Sequence, residues 1–317
     1  MDFHDATLLI IGHGSTVNGD SGATVFQHAA ELRRRGIFAD VREGFFKIEP
    51  RIGAALAGIR TARIFVVPLF VSEGYFTQQA IPQELGLSAE ALAQASSARG
   101  FEIGGRKLFY CAPVGTHPLM TEIILARARG VLGQPSGETG DANYHSASDG
   151  AAAPHPGPLP FRRGEGEKTP APVAFRSSLS STALIIAGHG TKLNADSRKS
   201  IERQVELIAA QKIFAEVHPA FLEESPRIGD IPRFVKASRI VVVPFFMSDG
   251  LHVCEDIPVL LGEEKEEVET RLKAGEWPWT NPTERGRKTI FYTRGVGSEK
   301  GIAEVILERV RAVGIGR

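Results

Sequence analysis

A chain of 317 residues, 42% apolar and 23% charged, is long enough for two domains of ordinary size, each with its own core. Its 37 Lys and Arg are balanced by 37 Asp and Glu, which excludes the basic excess that a general nucleic-acid or anionic-membrane binder needs. Two distant cysteines, Cys111 and Cys254, make no disulfide framework and point to a reducing compartment.

The N-terminus MDFHDATLLIIGHG carries acidic residues where a signal peptide carries basic ones, and its apolar run TLLII is strand-sized. No apolar run approaches the roughly 20 residues needed to cross a bilayer. The expectation is a soluble, cytoplasmic protein. Along the chain, TLLIIGHGS (7–15) returns within TALIIAGHGT (182–191), and FFKIEPRIG (45–53) returns as FLEESPRIG (221–229). ARIFVVPLFVSEGYFTQQAIP (62–82) returns as SRIVVVPFFMSDGLHVCEDIP (238–258), again at an offset of 176 residues. LFYCAPVG (108–115) returns as IFYTRGVG (290–297) at an offset of 182, so the second copy gained six residues near 263–287. Four collinear matches identify a duplication.

Three segments follow: a first lobe at 1–134, a Pro/Gly/Ala-rich linker at 135–181, and a second lobe at 182–317. The linker cannot bury enough apolar surface to offset its ordering entropy and is expected to be disordered. Its His145 and His155 lack anything that would fix metal geometry.

In the second copy the pattern predicts strands near 183–187, 214–222, 239–246 and 288–294. Helices are predicted near 196–211, 226–236, 254–273 and 299–313. Ile201, Val205 and Ile208 recur at helical spacing, and IVVVPFF is typical of a strand covered on both faces. The fold class is α/β: two similar lobes, each a mainly four-stranded parallel sheet flanked by helices, with a cleft between them. Ligands in such sheets bind beyond the carboxyl ends of the strands.

The distinctive residues fall there. His189 sits in Gly188-His189-Gly190-Thr191 after a strand, as His13 does in the first copy. Flanking glycines permit a sharp turn and close ligand approach. A GHG tripeptide alone is equally compatible with a histidine that caps a strand–helix turn. His252 follows the third strand and a Gly250 turn. Neutral imidazoles suit borderline divalent metals, and two at adjacent strand ends can converge on one ion. Asp249 and Cys254 are near enough in sequence to be considered as further ligands, although a cysteine there more often packs as a small hydrophobe. Glu223, at the end of the second strand, can accept protons or complete a metal site. In the first copy Phe76 stands for His252 and Lys47 for Glu223, so the second lobe is expected to carry the metal site. Tyr75 and Phe76 are expected to line the opposite wall against a flat ligand.

On LIIAGHGT, AFLEESPRI and VVVPFFMSDGLHVCEDIP the sequence resembles the sirohydrochlorin chelatase (CbiX-like) family, within the class II tetrapyrrole chelatases. The resemblance covers both repeats and not the linker. It implies two α/β lobes around a macrocycle cleft, no nucleotide, and a divalent metal (Co²⁺ or Fe²⁺) as substrate of a lyase in cobalamin or siroheme synthesis. His189 and His252 would be the metal ligands, and with Glu223 the catalytic set. Tyr75, Phe76 and Lys192 are expected at the macrocycle, with Arg198 and Arg51 as further rim cations for its carboxylates. No nucleic acid or membrane partner is expected, and the duplication makes a monomer reasonable. A tetrapyrrole or metal carrier without insertion activity is the alternative. A hydrolase using Ser15 is disfavoured, because Ser15 becomes Thr191 in the other copy.

Overall fold

The computed structural model describes residues 3–16, 19–133, 179–190 and 195–314. Lys192, His145, His155 and residues 135–178 of the expected linker lie outside these described residues.

The first half forms strands β1 (Phe3–Gly12), β2 (Phe38–Phe45), β3 (Arg63–Pro68), β4 (Phe101–Ile103) and β5 (Arg106–Tyr110), in sheet order β2-β1-β3-β5-β4. The second half repeats it with β6 (Thr182–Gly188), β7 (Glu216–Phe221), β8 (Arg239–Pro244), β9 (Thr283–Arg285) and β10 (Lys288–Tyr292), in order β7-β6-β8-β10-β9. Four strands in each sheet are parallel, as expected. A fifth is added at one edge, antiparallel to its neighbour. It is three residues long, too short to show a period, and only its turn glycines betray it: Gly104 and Gly105 in one half and Gly286 in the other, all at positive φ.

The first-half helices are α1 (Ala23–Arg35), α2 (Ile52–Ala57), α3 (Ile81–Glu84), α4 (Ala89–Ala95) and α5 (Met120–Leu132). The second-half helices are α6 (Ala195–Ala209), α7 (Ile231–Phe234), α8 (Ile257–Leu260), α9 (Lys265–Lys273) and α10 (Ile302–Gly314). The single helix expected over 254–273 is broken. A five-residue π turn, His252–Asp256, runs into α8, and the chain then turns at Gly262 (φ 102°) before α9 starts. The six gained residues divide between α9, with nine residues against seven in α4, and a connector after it that carries Trp277 and Trp279. Trp279 is buried in the outer core of the second sheet, and Trp277 stacks on Tyr292.

The two lobes are not independent units. Helix α5, though it ends the first half, packs on β8 and β10 of the second sheet, while α10 packs on β3 and β5 of the first. The inner faces of both sheets, with α1, α5, α6 and α10 between them, therefore form one continuous apolar core. Leu179, at the end of the expected linker, is already buried in it. The outer faces carry separate cores, one per half.

Polar ties cross the same seam. Thr24 Oγ1 donates to Met247 O at 2.7 Å, Thr121 Oγ1 to Gln204 Oε1 at 2.7 Å, and Arg309 to Pro113 O at 2.7 Å. His28, 1% exposed, bonds Gly297 O through Nε2 at 2.7 Å. Burial pushes its imidazole down from 6.5 to about 4; the Gly297 carbonyl and Glu31 oppose the shift, and Arg127 and Arg35 add to it. Above pH 6.5 the ring is neutral in both folded and unfolded chains. As pH falls from 6.5 towards 4 the unfolded chain takes up a proton that the folded chain refuses, so stability is lost across that window, by about 3 kcal/mol in all. Gln204 occupies the equivalent position in the second half. His28→Gln is therefore expected to flatten the stability-versus-pH curve between pH 6.5 and 4. Denaturant melts at pH 7 and 4.5 check this, and parallel losses in both proteins would refute it.

Candidate metal-delivery site

The GHG turns owe their glycines to two different constraints. At the first glycine, an added Cβ would lie 2.0 Å from Ile201 Cδ1 (at Gly188) or 2.6 Å from Val25 Cγ2 (at Gly12), so the strand end lies tight against the following helix. The second glycine is left-handed, at φ 61° for Gly190 and 68° for Gly14, where a side chain is strained. Between them the histidine is turned out at the strand's carboxyl end. The backbone then brings in the second strand's exit: Glu223 N donates to His189 O at 3.2 Å, as Lys47 N does to His13 O at 2.9 Å.

Three expected residues come together. The rings of His189 and His252 lie 5.0 Å apart, centroid to centroid, at 75°, and Glu223 Oε1 is 3.6 Å from His189 Nε2. All three are partly solvent-exposed, with side-chain exposures of 37%, 47% and 58% for His189, His252 and Glu223. Nδ1 of His189 is buried and has no hydrogen-bond partner among the described residues. His252 hangs from the π turn, which Tyr292 buttresses by donating its hydroxyl to Val253 O at 2.6 Å. Burial keeps that phenol protonated, far above its ordinary range. Among the described residues no three or more His, Cys, Asp or Glu side chains close around a single point to hold an ion. The arrangement is an open pair of imidazoles beside a carboxylate, which suits an ion that must be handed on rather than kept.

The first half keeps the geometry and one of the three polar groups, His13. His13 and Phe76 repeat the edge contact at 4.7 Å and 89°, and Phe46 and Phe70 close around Phe76. Lys47, in place of Glu223, lies 5.6 Å above the Phe46 ring. His13 Nδ1 donates to Gly14 O at 2.6 Å, the turn-capping contact that its sequence context allowed.

A cavity of about 300 Å³ lies between the halves, with His13, Ser15 and Ser21 on one side and Phe246, Leu251 and His252 on the other. A second, about 370 Å³, lies on the first half against Phe46 and Tyr75. Phe76 thus belongs to the aromatic cluster on His13, and Tyr75 meets it edge-on at 5.5 Å from the cluster's solvent side, 60% exposed. Its counterpart in the second half is Leu251, 45% exposed, an equivalence that the repeat offset gives but that carries no chemical signal by itself.

Asp249 and Cys254 are used elsewhere. Asp249 accepts from Gly295 N at 2.6 Å and Ser298 Oγ at 2.9 Å, which fastens the loop ahead of His252. Cys254 is buried, with its thiol donating to Asp249 O. Arg198 is held by Glu202, Glu224 and the face of Phe221, and Arg51 is an exposed residue at the start of α2. One contact of the site has no signal in the sequence: Asp256, four residues after His252, accepts from its Nδ1 at 2.6 Å.

The CbiX family profile matches residues 7–131 and 183–313, both repeats and not the segment between them. A Halobacterium salinarum protein named "Probable sirohydrochlorin cobaltochelatase" is 33% identical over 97% of this chain and 91% of its own length. A multi-domain Deinococcus radiodurans protein, described as structurally similar to chelatases with two additional novel domains, superposes with a TM-score of 0.65 at 24% identity; the match covers 96% of this chain and 54% of that one. SirB from Bacillus subtilis, solved with Fe³⁺, superposes with a TM-score of 0.60 at 15% identity, covering 99% of this chain and 96% of that one. The profile covers both repeats and the relative spans nearly the whole chain, so the chain belongs to the CbiX family.

Proposed function

We propose that this chain is a sirohydrochlorin metal chelatase, a cytoplasmic lyase that inserts cobalt or iron into the macrocycle without a nucleotide. The observation that carries this reading is the convergence of His189, His252 and Glu223 at the ends of three adjacent strands, across from a half in which Phe76 and Lys47 replace two of the three. Metallating a planar tetrapyrrole requires a divalent ion to shed water while two pyrrole N–H protons leave. His189 and His252 hold the ion by their neutral imidazoles. Glu223, beside His189, takes or relays a departing proton. Tyr75 and Leu251, exposed at equivalent places in the two halves, offer apolar faces to the ring, and Lys47 and Lys192 offer cations to its carboxylates. One chain carries both halves, so a monomer suffices.

The test is spectroscopic insertion of Co²⁺ and Fe²⁺ into sirohydrochlorin by the full chain. Glu223→Gln is expected to slow insertion by about 10²-fold while cobalt binding persists. Unchanged turnover in that variant removes the carboxylate from the mechanism. Failure of the unmodified chain to insert either metal sinks the chelatase reading.

A further inference from the structure

Asp256 stands at the N-cap position of α8 yet makes no side-chain cap hydrogen bond. Its carboxylate instead accepts from Nδ1 of His252 at 2.6 Å. The π turn brings the two residues into register over one widened turn of backbone. An imidazole that donates from Nδ1 to a carboxylate is fixed in one tautomer and one orientation, with the lone pair on Nε2.

The duplication supplies an independent observation. At the 176-residue offset, His252 corresponds to Phe76 and Asp256 to Ala80. The half that lost the imidazole has also lost the carboxylate, although its π turn, Phe76–Ala80, and the tyrosine that buttresses it (Tyr110 to Thr77 O, 2.6 Å) are both kept. The backbone therefore does not need an aspartate there, and the histidine is what it serves.

We propose that Asp256 is a positioning residue for metal delivery: it holds His252 as the Nδ1–H tautomer and aims its Nε2 at the incoming divalent ion. This rests on the metal-site reading above. The test compares the full chain with Asp256→Ala and Asp256→Asn, using ¹⁵N NMR of the His252 ring in the metal-free protein and the dissociation constant for Co²⁺ alone. Asp256 is half-exposed, so both variants are expected to fold. In the unmodified chain the Nδ1–H tautomer is expected. Alanine should release the ring to a tautomer mixture and weaken cobalt binding about 10- to 100-fold. Asparagine, whose side-chain oxygen still accepts from Nδ1–H, should restore the tautomer and most of the affinity. Ring signals unchanged in the alanine variant, or an asparagine variant as weak as alanine, would overturn the proposal. The tautomer readout needs neither metal nor macrocycle, so it judges Asp256 even where the insertion assay rejects the chelatase reading.

Discussion

His252→Ala is expected to lower metal insertion by on the order of 10²–10³-fold, and His189→Ala by a similar factor, with the fold intact. That range corresponds to about 3–4 kcal/mol lost in holding the substrate ion for transfer, at about 1.4 kcal/mol per tenfold in rate. The pair offers only two imidazoles 5.0 Å apart, so removal of either leaves a single ligand that cannot fix the ion. The double variant should lose little more than either single one, because the two residues act as a unit. Both side chains are more than a third exposed, so truncation opens no core cavity and should cost little stability. His13→Ala is the internal control. Its ring neighbour is Phe76, which cannot ligate, and most of the activity should survive. Insertion rates read beside thermal melts decide the matter. Normal turnover in either second-half variant would refute the site, and loss only in His13→Ala would move it to the other half.

Gly297→Ala is expected to destabilise the protein by about 3–5 kcal/mol, a cost reserved for a few mechanisms such as backbone collision in a packed seam. The added Cβ would lie 2.2 Å from Met247 O and 2.4 Å from Met247 Cα, and neither can rotate away. Relief requires parting the loop after β10 from the loop after β8. That would also loosen Thr24 from Met247 O and His28 from Gly297 O, leaving buried polar groups unpaired at about 1–3 kcal/mol each. The loop after β8 leads into the π turn of His252, so insertion should fall with stability. Gly115→Ala makes the mirror collision, 2.2 Å from Val71 O, but that loop leads to Phe76. It should cost comparable stability and spare the metal pair. Denaturant melts together with cobalt binding separate the two variants; equal loss of cobalt affinity in both would show that the seam acts through global unfolding instead.

Much of the fold was legible because its signals are local. Alternation of buried runs such as TLLII and IVVVPFF with amphipathic segments such as 195–209 fixes four parallel strands per half. The repeat offset then singles out the second half, which alone keeps His252 and Glu223 beside the shared histidine turn. The edge strands escaped because three residues have no period. The helix expected over 254–273 is interrupted by the π turn and by Gly262 at φ 102°, although the apolar spacing continues across both.

By itself, then, the sequence determined the duplication, the placement of His189, Glu223 and His252 at strand ends, and the loss of two of their three counterparts in the first half. The tertiary structure alone decided that α5 and α10 exchange sheets, that both halves share one core, and that Asp256 belongs to His252 while Asp249 fastens a loop. Periodicity records which face of a helix is apolar, but not which sheet will cover it. Two aspartates that flank one histidine look alike in sequence, and only the width of a helical turn and the path of a distant loop give them different partners.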